Sequence, residues 1–249
     1  MNMSRLHSIL LATALGLSAA LPASAAVSLP SWNGQPNTTS QVFLFNTAST
    51  TPSANNSVNP YGTASASVVV GFFGNGWENP ADAPASNPGF NGDGAWDVGT
   101  GIDSLSGNRL GPDGSITFSV PVAPAAPGVG QSYRLDILIY AVAYQDLHRL
   151  PEASVLGLAP GDLVLASSNV LGTRPPNGTW RELTWTAVKE GHTTGALSVA
   201  LTPPTGEASV IDRVEIYTRY TLVPEPSSAV LLMLAGATVS LRRRRTVAG

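Results

Sequence analysis

The sequence predicts an all-β fold: a single antiparallel, jelly-roll-like β-sandwich, flanked by an N-terminal signal helix and a short C-terminal hydrophobic helix. The 249 residues include 25 glycines and 20 prolines, which recur at short intervals. The runs between them alternate apolar and polar residues with a period of two, and none shows the 3.6-residue period of an amphipathic helix. About 200 residues separate the two terminal segments, enough for one domain with a sizeable core.

The first element has the three parts of a secretory signal peptide. A basic residue, Arg5, precedes the apolar stretch 9–20, and the small residues Ala23 and Ala25 follow it. Small residues spaced in this way are what signal peptidase accepts. We therefore predict a signal peptide over 1–25, with cleavage after Ala25, or after Ala26 if the enzyme acts one position later.

Residues 26–222 are predicted to form the sandwich. The Ser/Thr/Asn-rich region 36–67 favours a loosely structured segment with one or two edge strands. The clearest strand is Tyr133–Val142, in which Leu135, Ile137 and Ile139 share one face. Eight further runs fit strands bounded by turn residues: Gln41–Phe45, Ser67–Phe73, Ser115–Val120, Ser154–Leu158, Leu163–Ser167, Trp180–Val188, Ala196–Leu201 and Ser209–Tyr220.

The last element, residues 223–249, has the composition of a membrane sorting tail. Pro224, Glu225 and Pro226 hold the chain extended, because proline removes a backbone donor and disfavours helix before it. The apolar run 229–241 follows, and then come four basic residues, Arg242, Arg243, Arg244 and Arg245. Thirteen helical residues span about 20 Å, short of the roughly 30 Å hydrocarbon core, so transient retention fits better than a permanent anchor. The arginine cluster is expected to stay cytoplasmic.

This three-part tail resembles the PEP-CTERM sorting signal of exported bacterial proteins. The resemblance covers about residues 223–249 and rests on Pro-Glu-Pro, the short hydrophobic helix and the terminal arginine cluster. It implies processing by signal peptidase and an exosortase, transient anchoring in the inner membrane, and a final location in the cell envelope or outside the cell. A tail-anchored protein is the alternative.

The charge of the exported part argues against some partners. The chain carries 13 basic and 16 acidic residues; removing Arg5, Glu225 and the four terminal arginines leaves 8 basic and 15 acidic, a net charge of −7. Nucleic acids and anionic membrane surfaces attract basic patches, so neither is an expected partner. The chain has no cysteine, and its stability must come from the core.

The last third of the domain resembles galactose-binding-like and carbohydrate-binding jelly rolls. The likeness is diffuse and rests on the segments 178–180, 183–187, 195–199 and 208–216. It implies a sandwich fold and, through an acid on a late strand, a structural calcium ion. The overall layout also resembles exported PEP-CTERM proteins without a defined activity, and that likeness implies no catalytic residue.

Four residues form a candidate calcium site. Asn91, Asp93 and Asp97 place oxygen ligands two and four residues apart in a glycine-rich loop. The loop departs from the EF-hand pattern, which needs a further oxygen ligand at position 95. Asp212 is expected to share a strand face with apolar residues, where a carboxylate needs a cation or donors. The alternative is a set of Asx-turns together with an Asp212–arginine pair.

Tryptophans suggest a carbohydrate platform. Trp77 and Trp96 lie among turn-forming residues, where an exposed indole can stack on a sugar ring. Anchoring of their loops is the alternative, since large aromatic side chains are usually buried. Trp185 alternates with Leu183 and is predicted to lie in the core.

Enzyme patterns are weak. The run 102–105 resembles the Gly-Asp-Ser-Leu block of lipolytic enzymes, but the alternating helices of that α/β fold are not predicted here. Beyond the leader only His148 and His192 remain, and both adjoin turn-prone sequence where solvated histidines are common. A glycosidase needs two apposed carboxylates, and no pair among the 15 acids stands out.

These patterns together predict an exported cell-envelope or extracellular-matrix protein with a structural or adhesive role in association with exopolysaccharide. A carbohydrate-binding module is the alternative, and a secreted glycoside hydrolase or esterase is the third. No catalytic residue and no cofactor other than the calcium ion is predicted.

Overall fold

The computed structural model describes residues 29–79, 94–124, 127–146, 148–174 and 178–224. This part of the chain forms twelve β-strands. In chain order they are β1 Thr38–Leu44, β2 Asn56–Val58, β3 Ser65–Val69, β4 Gly76–Glu78, β5 Ala95–Gly99, β6 Ser115–Pro121, β7 Gln131–Gln145, β8 Glu152–Val155, β9 Val164–Arg174, β10 Gly178–His192, β11 Ala196–Thr202 and β12 Ala208–Pro224.

The strands form two antiparallel sheets. The large sheet has the order β2-β1-β12-β7-β10-β9, with β5 paired to the start of β12 and β4 paired to β5. The small sheet has the order β3-β6-β11-β8. The prediction of an all-β, antiparallel fold is confirmed.

The main hydrophobic core draws its side chains from both sheets. Phe43 of β1 and Phe118 of β6 meet edge to face, with ring centroids 4.9 Å apart. Along β7 the core side chains are Leu135, Ile137 and Ile139, which follow the alternation of the sequence. Each buried side chain of this size contributes about 1.5–3 kcal/mol, so alternation along β7 fixes which face of the strand turns inward.

Part of the opposite, outer face of the large sheet is also buried. There a second cluster contains Tyr140 and Tyr144 of β7, Trp180 of β10 and Tyr217 of β12. Polar and charged side chains are interspersed with these rings. This mixed face positions the candidate site described below.

Some strands differ from their predicted limits. β3 ends at Val69 because Gly71 has a φ of +79° and approaches Gly99 so closely that a Cβ at position 71 would lie 1.9 Å from its carbonyl oxygen. The short strands β4 and β5 were not predicted, since their sequences lie among glycine, asparagine and proline. β1 falls in the region expected to hold edge strands, but it lies between β2 and β12.

A bulge in β12 corrects the predicted face of Asp212. The register with β7 shifts between Ile211 and Arg213, so Asp212 is an extra residue. As a result Val210 packs in the outer cluster, whereas Val214 packs in the main core. Strict alternation predicted one shared face for Asp212 and these apolar neighbours, and that prediction is wrong.

The described residues contain no helix, and none of their segments could cross a membrane as a helix. The predicted signal helix, with Ala23, Ala25 and Ala26, lies outside the described residues. So do Glu225, Pro226, the hydrophobic helix and the terminal arginines. Pro224 is the last residue of β12, opposite Gln131 of β7.

Candidate functional site

An open groove of about 650 Å³ crosses the outer face of the large sheet. Its floor is formed by Asp136 and Leu138 of β7 and by Thr186 of β10, and Trp32 and Arg219 stand at its side. We call this feature the Trp32 groove.

Strand register brings the floor residues together. Arg219 of β12 lies directly across from Asp136, and Val188 of β10 flanks Asp136 on its other side. One step along, Thr186 lies across from Leu138. Because alternate residues of a strand share a face, these side chains all point away from the main core.

A tight turn carries Trp32 to the groove. The amide of Asn33 donates to the Pro30 carbonyl at 2.8 Å, and the amide of Gln35 donates to the Trp32 carbonyl at 3.1 Å. The indole ring packs on the Arg219 guanidinium, whose central carbon lies 5.6 Å from the ring centroid. This cation–π contact holds the ring beside the groove.

The Arg219–Asp136 pair is the charged part of the groove. Arg219 donates from Nε at 2.8 Å and from Nη2 at 2.6 Å to the same oxygen, Oδ2 of Asp136. Arg134 Nε lies 3.8 Å from the other oxygen, Oδ1. Charge-assisted hydrogen bonds of this kind fix both side chains in planar, directional positions. The groove therefore combines an indole ring with pre-oriented donors and acceptors.

A second polar network lies next to the groove. Glu215 of β12 is only 2% exposed; its Oε1 lies 2.5 Å from Arg213 Nη2, and its Oε2 accepts from the Tyr217 hydroxyl. Burial, followed by the neighbouring Glu215, raises the pKa of Tyr217 well above its ordinary value. Tyr217 thus remains a neutral hydrogen-bond donor at any physiological pH.

Tyr140 donates a hydrogen bond to Glu182, as Tyr217 does to Glu215. Its hydroxyl donates to Glu182 Oε2 at 3.4 Å, and Asn169 Nδ2 donates to Glu182 Oε1 at 2.7 Å. Burial first, and then Glu182, raise the pKa of Tyr140. Glu182 and Glu215 are both occupied by protein donors, and Glu215 is closed to solvent. Together they make a structural network and offer no open pair of carboxylates for glycoside hydrolysis.

The two tryptophans considered as a sugar platform lie side by side on paired strands. Trp77 of β4 is directly opposite Trp96 of β5. Trp96 is 3% exposed and belongs to the main core, so its ring has no face open to a sugar. Trp77 donates from Nε1 to the Phe45 carbonyl at 2.9 Å and packs over Gly94, where a Cβ would lie 2.5 Å from that nitrogen. Both indoles anchor the strands that carry them.

The candidate calcium ligands are only partly described. Asn91 and Asp93 lie outside the described residues. In the described part no group of three or more histidine, aspartate or glutamate side chains is placed to hold a metal ion, so Asp97 and Asp212 do not form such a group there. Asp97 is fully buried and accepts from Asn75 Nδ2 at 2.7 Å.

His148 lies between two carboxylates. Its Nε2 is 3.5 Å from Asp97 Oδ2, and its Nδ1 is 2.7 Å from Asp146 Oδ1. Asp97, although more distant, lies entirely out of water and is the larger influence, with Asp146 adding to it. Together they raise the pKa of His148 to about 9. The ring is therefore charged at neutral pH.

The prediction of a solvated histidine is wrong for His192. This side chain is buried, and burial, reinforced by Lys189, lowers the pKa of His192 below its ordinary value. Thr194 Oγ1 lies 3.1 Å from its Nε2. The ring is a neutral part of the structure beside the end of β10.

The residues around Ser104 form a turn. Asp103 accepts from the Leu105 amide at 3.0 Å and from the Ser106 hydroxyl at 2.6 Å. These hydrogen bonds are local and lower the pKa of Asp103. Such a turn is typical of Asx chemistry and does not assemble a nucleophile with a base.

Sequence analysis did not identify Trp32, Asp136 and Arg219 as site residues. Asp136 and Arg219 are 83 positions apart, and only strand pairing brings them together. The one local signal was Asp136, which with Arg134 occupies an outward position near the start of a mostly apolar strand. The chain matches no protein-family model, no curated protein and no solved structure.

Proposed function

We propose that the chain is an exported protein of the cell envelope or extracellular matrix whose jelly-roll-like sandwich associates with exopolysaccharide in a structural or adhesive role. The Trp32 groove is the observation that carries this proposal. It is open at the surface, and its lining draws on β7, β10 and β12 of the large sheet.

The chemistry of the groove suits a sugar. A pyranose ring has an apolar face that packs on an indole and equatorial hydroxyls that bond to planar charged groups. Trp32 supplies the ring, and the Arg219–Asp136 pair supplies donors and acceptors of fixed direction. The charged residues that line the groove are two acids, Asp136 and Asp162, and one base, Arg219, so the groove favours an uncharged polysaccharide over a polyanion. In the alternative, a carbohydrate-binding module, the same groove would bind a polysaccharide in order to direct the protein to it.

The terminal sequences support export. The small-residue motif before Ala26 and the tail from Pro224 to Arg245 together describe a chain cut at both ends during sorting by signal peptidase and an exosortase. Retention by the short hydrophobic segment is expected to be transient, and the domain would then be released to the envelope or matrix.

The test is binding of the exported protein to neutral and acidic polysaccharides, measured by affinity electrophoresis. Intact mass should first place the mature ends near Ala26 and between Pro224 and Pro226. Trp32→Ala is expected to weaken binding to a neutral polysaccharide about fivefold or more, because stacking on one aromatic ring contributes about 1–3 kcal/mol.

Phe72→Ala is the matched control, since Phe72 is an exposed aromatic residue remote from the groove. If Trp32→Ala binds as well as the unchanged protein, or if no polysaccharide binds, the groove has another use. Release of reducing ends from the polysaccharide would instead favour the hydrolase alternative.

A further inference from the structure

The free edges of the two sheets are protected to different degrees. A strand edge presents unpaired backbone donors and acceptors, and natural sheets protect such edges with short strands, prolines, charges or covering segments. At one end of the large sheet, β2 has three residues and lies between Pro52 and Pro60. In the small sheet, the Ala66 amide of β3 donates to the Pro52 carbonyl and β8 has only four residues, beginning with Glu152.

β9 lacks most of these protections. It is eleven residues long, and among the described strands it pairs with β10 only. No charged residue and no proline occurs from Val164 to Thr173. Val164, Leu165 and Val170 are each about half exposed on this strand. An exposed, uncharged strand of this length is a template for pairing with another chain.

Two bulges limit where regular pairing can occur. The register between β9 and β10 shifts at Ala166 and again at Leu171. Between these positions, Ser167–Val170 runs without interruption. This stretch is the part of the edge able to accept a new strand with ordinary hydrogen bonds, while the bulges turn the flanking residues away.

From this arrangement we propose that β9 is a self-association edge, at which a second copy of this chain pairs antiparallel through Ser167–Val170. The sequence has an acidic residue just before the strand and a basic residue at its last position, and this order favours that partner and direction. Asp162 lies just before β9, and Arg174 is its last residue. Antiparallel pairing about a two-fold axis brings each Asp162 to the end of the edge that holds Arg174 of the second copy.

Apolar surface next to the edge favours the same partner. Leu163 and Leu165 border a groove of about 340 Å³ that reaches Leu183 and Trp185 between the open edges of the two sheets. A copy paired along β9 would cover this groove. Since each β9 is then used, the two-fold contact closes on itself, and the product is a dimer and not a fibre. This inference rests on the edge of β9 and not on the Trp32 groove, although Asp162 also lines that groove.

Sedimentation velocity of the purified full chain over a range of concentrations tests the proposal. The unchanged chain is expected to show a monomer–dimer equilibrium. Val170→Lys should raise the dissociation constant at least tenfold, because a lysine on an edge strand opposes pairing with another strand. Val58→Lys is the matched control: Val58 is 66% exposed on the protected edge β2, and this change should leave the equilibrium unaltered.

A cross-linking measurement covers the case in which Val170→Lys does not fold. The chain has no cysteine, so Asn169→Cys introduces a single thiol at the centre of the proposed contact. Under mild oxidation it should form a disulfide-linked dimer much faster than Val58→Cys. A chain that stays monomeric, an association unchanged by Val170→Lys, or equal cross-linking from both thiols would overturn the proposal.

Discussion

The two faces of the large sheet bury their residues by different means. The inner face is apolar along β7, from Leu135 through Ile139, and packs against the small sheet. The outer face is buried in part, where Tyr140 and Tyr217 lie among charged neighbours, and is open along the Trp32 groove. Burial on the inner face needs only shape and apolar area. On the outer face it requires hydrogen-bond partners, because an unpaired buried polar group costs about 1–3 kcal/mol.

This difference shows how one sheet can serve two purposes. The inner face supplies the free energy of folding through apolar transfer and tolerates few changes of volume. The outer face fixes polar side chains in definite directions, as a binding surface needs. Substitutions on the two faces should therefore fail in different ways: by cavity formation on one and by loss of partners on the other.

The largest effect is expected on the inner face. Trp185 is buried across from Ile139, so Trp185→Ala leaves a cavity and should lower the free energy of unfolding by about 3–5 kcal/mol. Urea unfolding followed by circular dichroism measures it. Val188→Ala on the same strand, at a half-exposed position, should change stability by less than about 0.5 kcal/mol. Equal effects of the two changes would mean that the register of β10 is wrong.

The position of Trp185 in the core is also an example of what could be predicted from the sequence. Its place in the core followed from alternation with Leu183, and the all-β fold followed from the same period with frequent glycine and proline. Alternation failed at Asp212, where a bulge changes the phase of β12. No local sequence pattern predicts such an extra residue, because the bulge depends on pairing with a strand that is remote in the sequence.

The Trp32 groove was beyond prediction for a related reason. Trp32 comes from a turn before β1, Asp136 from β7 and Arg219 from β12, and each residue is ordinary in its own segment. Their meeting depends on which strands become neighbours. The tryptophans that did look like a platform, Trp77 and Trp96, lie on strands too short to be recognised and are used for packing.

A smaller effect is expected from the outer-face network. Glu215→Leu removes the acceptor of the buried Tyr217 hydroxyl and the partner of Arg213, which should cost about 1–3 kcal/mol. The partly exposed Arg213 can turn toward water, whereas the Tyr217 hydroxyl cannot. Adding Tyr217→Phe to Glu215→Leu should therefore recover part of the loss.

The comparison of single and double changes separates the two faces. A double-mutant cycle by urea unfolding should give a coupling energy of at least about 0.5 kcal/mol between Glu215 and Tyr217. The stability lost in Trp185→Ala comes from a cavity, so a second substitution that only removes a polar atom should not restore it. If the effects of Glu215→Leu and Tyr217→Phe simply add, the outer face is buried in the same apolar manner as the inner face.

The smallest effect concerns pH and the buried Asp97 on the outer side of β5. The pKa of His148 is about 9 in the folded chain, above the value of about 6.5 expected when unfolded. The folded state therefore holds its proton more tightly, and this contribution to stability is complete below about pH 6.5 and lost as the pH rises to about 9. The melting temperature should fall over that interval, and His148→Gln should make the fall less steep.

His192 should change the stability with pH in the opposite direction to His148. Its pKa is lowered by burial, so its contribution is present above about pH 6.5 and is lost as the pH decreases below that value. His192→Gln should leave the alkaline part of the melting curve unchanged and flatten only the acid part. Taking each variant as a difference from the unchanged chain cancels the titration of Lys189, whose pKa burial also lowers. An alkaline slope that persists unchanged in His148→Gln would show that a group other than His148 causes it.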